Sequence, residues 1–178
     1  MVGLATVLAV NPIGGSAAQA AGTDGQLSVV RIGNDGSFDR VVFEFEGTAV
    51  PTVSLTGPVT NPGSVPADPS DMPVPVAGAQ LIRVVMHNAF SAPGYTGPTD
   101  FHPTSTANVV EVVQTGDFEA TLSWAIGTRT ATTPVVTTLT DPVRVVVDIP
   151  HAVVTTTVAP TTTAKVPVAT AAAPAFTG

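Results

Sequence analysis

Cysteine is absent from this chain of 178 residues. That removes disulfides, thiolate metal sites, a cysteine nucleophile and a lipobox lipid anchor. Lysine occurs once, at Lys165, and the stretch from Leu27 to Pro150 sets five arginines against twelve acidic residues. Phosphate contacts dominate affinity for nucleic acid, so a surface this acidic argues against that partner, and it equally disfavours adsorption to anionic lipid. Charged residues make up only 11% of the chain, too few for long solvated helices, and no window from Leu27 to Pro150 carries a sustained helical stripe. Catalytic signatures are missing as well. There is no Gly-x-Ser-x-Gly elbow and no amidase zinc motif, and the three histidines (His87, His102, His151) are far apart in sequence, with only Asp100 near His102. The expectation is a protein with no catalytic residues, no metal and no cofactor.

What the chain does have is alternation. In Phe38–Glu46, Asp39, Val41, Phe43 and Phe45 fall on one side, and Arg40, Val42, Glu44 and Glu46 on the other. In Pro142–Ile149, Val143, Val145, Val147 and Ile149 oppose Arg144, Val146 and Asp148. A period of two with one apolar side describes a half-buried antiparallel strand. Leu27–Ile32 precedes the first of these across Gly33-Asn34-Asp35-Gly36, a turn sequence. The oxygens of Asn34, Asp35, Ser37 and Asp39 lack EF-hand spacing, and a hairpin turn accounts for them. Val50–Leu55 reads as a ragged strand, and Ala79–His87, apolar on both sides, as a central one. Val109–Thr115 and Phe118–Ile126 read as a hairpin over Gly116-Asp117, with Phe118, Leu122, Trp124 and Ile126 on one side. Val135–Leu139 and Val143–Ile149 form a last pair over Thr140-Asp141-Pro142. Many short strands with turn residues between them predict an all-β, two-layer antiparallel β-sandwich.

The ends differ from this domain, expected over residues 22–150. Residues 1–21 contain an apolar run, a helix breaker and Ser16-Ala-Ala-Gln-Ala20-Ala21, the second half of a secretory signal peptide cleaved after Ala20 or Ala21. The positively charged start of such a peptide is missing, so the true start is expected upstream of Met1, and the run is too short to span a bilayer. Residues 151–178 are rich in Thr, Pro and Ala with almost no charge, a composition that stays disordered, as in the stalk or linker of an exported protein. Between the strands, Gly57–Pro75 holds six prolines, too many for a central strand, and is expected to be a long extended loop.

The ordered succession of motifs resembles a known family. Leu27-Ser-Val-Val-Arg-Ile, Phe38-Asp-Arg-Val-Val-Phe-Glu-Phe-Glu-Gly47, a Pro-rich loop and Pro75-Val-Ala-Gly-Ala-Gln-Leu81 come first. Asn88-Ala89, Tyr95-Thr-Gly97, Val109-Val-Glu-Val-Val113, Gly116-Asp-Phe-Glu119, Trp124-Ala-Ile-Gly127 and Pro142-Val-Arg-Val-Val-Val-Asp148 follow in order. Together they are similar to the AMIN-like domain of actinobacterial envelope proteins, over roughly Leu27–Ile149. The chain departs from the pattern at Thr52 and Val53, where the family tends to have glycine and an aromatic. The resemblance implies a distant relative of the AMIN domain, a β-sandwich that targets cell-wall amidases to peptidoglycan while the chemistry sits in a separate domain. It therefore implies binding or localisation without catalysis, in an exported, envelope-associated or extracellular setting. The implied partner is a wall polymer such as peptidoglycan, or alternatively an envelope protein recruited through a sheet edge. Stable membrane insertion is not expected, and the domain is expected to be a monomer.

Two clusters are candidate ligand-binding residues. Arg40 with Glu44 and Arg144 with Asp148 place guanidinium and carboxylate groups on the polar sides of their strands, suited to stem-peptide carboxylates and sugar hydroxyls. The alternative is a cross-strand ion-pair ladder, each pair contributing ~0.2–1 kcal/mol. Tyr95 and Phe101 lie in a Gly- and Pro-containing loop from Asn88 to Pro103, where aromatic faces either stack on sugar rings or fold back to cap the sandwich.

Overall fold

The computed structural model of the protein describes residues 24–152, and these residues form strands and turns. Among them, no helix is long and apolar enough to cross a membrane. The first sheet contains β1 (Gly25–Asn34), β2 (Phe38–Glu46), β7 (Ala89–Phe90), β11 (Val135–Leu139) and β12 (Val143–Pro150), in the order β11-β12-β2-β1-β7. The second contains β3 (Thr52–Thr60), β6 (Gln80–His87), β8 (Asp100–Phe101), β9 (Val109–Phe118) and β10 (Thr121–Thr128), in the order β3-β6-β10-β9-β8. A two-stranded ribbon of β4 (Ser64–Pro66) and β5 (Pro73–Pro75) completes the set. The all-β sandwich expected from the alternation is present. One short pair, β1 with β7, is parallel, so the sheets are not wholly antiparallel.

The alternation decides the core. Val41, Phe43 and Phe45 of β2 and Val143, Val145, Val147 and Ile149 of β12 are buried against Ile82, Val84 and Met86 of β6 and Leu122, Trp124 and Ile126 of β10. Burying each such side chain contributes about 1.5–3 kcal/mol relative to leaving it in water. Phe43 and Trp124 meet between the sheets with ring centroids 5.3 Å apart. The central position expected for Ala79–His87 is occupied by β6, which lies between β3 and β10. The β1–β2 hairpin closes through Gly36 at φ 74°, with Asn34 Oδ1 accepting from the Gly36 amide at 2.8 Å.

Three expectations change. The β9–β10 hairpin does not turn over Gly116-Asp117. β9 runs on to Phe118, and the chain reverses at Glu119 and Ala120, both with positive φ. Gly116 is needed for close approach instead: Asp68 lies across it, and an added Cβ would come within 2.7 Å of the Asp68 Cβ. Phe118 consequently sits beside the turn, 49% exposed, rather than in the core.

The segment Gly57–Pro75 is not one loop. β3 continues to Thr60 along the sheet edge, with a register shift between Thr56 and Val59, and the remainder supplies the β4–β5 ribbon. Prolines are tolerated there because an edge strand or bulge can spare a ladder N–H. The ribbon segment covers the outer face of the second sheet, where Val65 and Val76 pack on Leu81, Val113 and Ala125 as a second small core.

His151, directly after β12, is docked against β2 (below). Residues 1–23 and 153–178, which include the leader and nearly all of the Thr/Pro/Ala tail, lie outside the described residues.

Candidate functional site

β12 and β2 are neighbours, paired antiparallel with Asp148 opposite Arg40 and Arg144 opposite Glu44. The outward residues of both strands therefore form a single surface. Asp148 holds Arg40 by two hydrogen bonds, Nε to Oδ1 at 2.7 Å and Nη2 to Oδ2 at 2.8 Å. This contact favours the charged guanidinium and pushes its pKa up. Glu44 is engaged by Arg31 of β1. Both ion pairs thus cross between strands, as in a cross-strand ladder: Arg40 and Asp148 are directly opposite, whereas Arg31 and Glu44 are diagonal neighbours, Glu44 lying opposite Val29.

Arg144 is different. Its Nε donates to the Pro142 carbonyl at 3.3 Å, and among the described residues no carboxylate lies within ion-pair distance of it. The carboxylate opposite it in register, that of Glu44, is already taken by Arg31. Arg31, Arg40 and Arg144 border a surface recess of about 400 Å³ whose apolar part is formed by Val42 and Val146, with Thr137 and Leu139 of β11 along one side. Three of the five arginines of an acidic domain converge on this recess. Arg31 was not singled out from sequence. The available signal was its place in Val29-Val30-Arg31-Ile32, where it faces outward in register with Val42.

Tyr95 and Phe101 are not part of this surface. Both pack against the main core, and Phe101 lies 6.3 Å from Trp124 between ring centroids. The Tyr95 hydroxyl donates to the Pro98 carbonyl at 2.6 Å, and burial pushes its pKa up. The loop is fixed from the other side by Asp117, whose Oδ2 accepts from the Ser91 amide and hydroxyl and from the Ala92 amide. These aromatics close one side of the sandwich.

The inner face of β2 carries a polar feature that alternation alone hid. Asp39 is fully buried. Its Oδ2 accepts from the amides of Asn108 at 2.6 Å and Val109 at 2.7 Å, and its Oδ1 from the Ala107 amide at 3.0 Å and His151 Nε2 at 2.9 Å. Burial by itself raises the Asp39 pKa, but the three amides and His151 outweigh it and hold the carboxyl below its ordinary value. This cluster ties the loop before β9 and the end of β12 to β2, which is a structural role. The three histidines do not converge: His87 lies by Thr121, His102 by Asp100 and His151 by Asp39.

Fold and recess together define a β-sandwich domain that presents a charged face to solvent. The family model of the AMIN-like domain matches residues 25–151, from the first residue of β1 to the residue that caps Asp39, and the chain belongs to that family. AMIN-like domains occur in envelope-associated proteins. Neither a curated protein nor a solved structure matches the chain.

Proposed function

We propose that this protein is a non-catalytic, exported module of the cell envelope that binds peptidoglycan or another acidic wall polymer through the recess bordered by Arg31, Arg40 and Arg144. The observation that carries the reading is the unpaired guanidinium of Arg144 beside the apolar strip of Val42 and Val146. A planar guanidinium with free donors matches a carboxylate bidentately, and the valines offer contact to a peptide methyl or the face of a sugar. Arg40 and Glu44, held by their partners, present pre-ordered donors and acceptors beside it. Arg31 and Arg40 are balanced by Glu44 and by Asp148, which also lines the recess, so Arg144 supplies the unbalanced positive charge that favours an anionic group there.

Co-sedimentation of the full chain with protein-free peptidoglycan, alongside an acidic β-sandwich control, tests this. Retention above the control, competed by soluble wall fragments and reduced by Arg144→Ala, is the expected result. Absence of retention would leave protein recruitment through a sheet edge as the reading to pursue, by crosslinking in intact envelopes.

A further inference from the structure

The opposite outer face holds a second polar cluster. β8 pairs with β9 so that Asp100 lies opposite Val113 and Phe101 opposite Val112. Continuing that register sets His102 opposite Glu111. Alternation sends Phe101 inward to Trp124 and leaves Asp100 and His102 on the same outer face as Glu111. Across β10, the residue paired with Glu111 is Gly127. Gly127 has no room for a side chain: a Cβ there would lie 1.7 Å from the Ala77 carbonyl oxygen. The missing side chain lets the Val76–Ala77 backbone descend onto the sheet, where the Ala77 amide donates to Glu111 Oε2.

Glu111 is thereby only 4% exposed, and among the described residues Ala77 supplies its single hydrogen bond. A buried carboxylate is costly unless it is paired, hydrogen-bonded or bound to a metal. One amide leaves most of its acceptor capacity unused. Its open side faces a cavity of about 470 Å³ that Asp100 and His102 also line. One donor atom each from Asp100, His102 and Glu111 lies within 4.8 Å of the other two, with His102 Nε2 and Asp100 Oδ1 3.3 Å apart.

We propose that Asp100, His102 and Glu111 form a binding site for one divalent transition-metal cation, and that their donor set suits Zn²⁺. One imidazole nitrogen and two carboxylate oxygens fit a borderline cation, whereas Ca²⁺ and Mg²⁺ favour oxygen alone. Bonds of about 2.0–2.1 Å in a tetrahedral site separate donors by about 3.3 Å, so the cluster tightens on binding. Glu111 is the fixed ligand, while Asp100 and His102, with side chains 50% and 64% exposed, are free to rotate toward it. The fourth position faces the cavity and takes water or a ligand group. The bound cation would pin the edge strand β8 to β9.

The test is calorimetric titration of the EDTA-treated full chain with Zn²⁺, together with its melting temperature with and without the ion. The expected result is saturable binding of one equivalent with a raised melting temperature. His102→Ala and Glu111→Gln should each weaken it by about tenfold or more, while His87→Ala leaves it unchanged. Glutamine at 111 retains an acceptor for the Ala77 amide, so this variant should fold in EDTA. If it does not, the exposed His102→Ala variant decides alone. No binding by the native chain, or binding undiminished in His102→Ala, overturns the proposal.

Discussion

Asp39 and Arg40 are adjacent in the chain and lie on opposite faces of β2. Asp39 turns inward, has no exposure, and is held by three backbone amides and His151. Arg40 turns outward, keeps 41% of its side chain exposed, and has one bidentate partner in Asp148. The inner charge is spent on closing the fold. The outer one borders a recess in which Arg144 has no carboxylate partner. The same strand thus separates a residue whose loss should break the structure from residues whose loss should affect only binding. Stability and binding effects should therefore run in opposite orders across the two faces.

Asp39→Ala should be the most damaging change. It strands three amides, two of them in buried hydrogen bonds, and should cost about 3–5 kcal/mol, seen as a fall in melting temperature of about 10–20 °C. The same carboxyl should make the domain acid-sensitive. Its folded-state pKa lies below the unfolded value, so its stabilisation is complete above the ordinary carboxylate range and is lost as pH falls through the folded value. Urea unfolding followed from neutral pH down to about pH 3 should show this slope, and Asp39→Asn should flatten it.

Phe101→Ala should come next, at about 1–3 kcal/mol, because Phe101 is half-buried against Trp124. It should leave wall binding intact, and loss of binding without loss of stability would move the site to the aromatic loop. Arg40→Ala removes a partly exposed ion pair and should cost no more than about 1 kcal/mol, while lowering wall retention. Arg144→Ala should have the smallest effect on stability, within about 0.5 kcal/mol, yet weaken binding by about tenfold, the scale of one charge-assisted hydrogen bond.

Much of this arrangement was legible in the chain. Alternation in β2 and β12 placed Arg40, Glu44, Arg144 and Asp148 on the outer face and the valines and phenylalanines in the core, because a strand's period of two leaves no other choice. Alternation does not fix register, so the partners were not legible. Arg40 joins Asp148, and Glu44 joins Arg31 from a strand more than ten residues upstream. Gly and Asp were ambiguous for a related reason. At Asp35-Gly36 they make a turn, whereas at Gly116-Asp117 the glycine admits Asp68 and the aspartate anchors Ser91, both long-range demands. The prolines of 57–75 correctly excluded a central strand, but not an edge strand and ribbon. Glu111 reads in sequence as one charge inside Val-Val-Glu-Val-Val. Its burial arises only because Gly127 lets a distant segment cross above it.

Wall-polymer binding is proposed for the outer face of β2 and β12. The most direct test is a titration of the isotope-labelled full chain with soluble peptidoglycan fragments, followed by NMR. Saturable shifts are expected, confined to β2, β11 and β12 around Val42, Thr137 and Arg144, together with their loss in Arg144→Ala. Shifts centred instead on Tyr95 and Phe101, or no saturable shifts at all, would contradict the proposal.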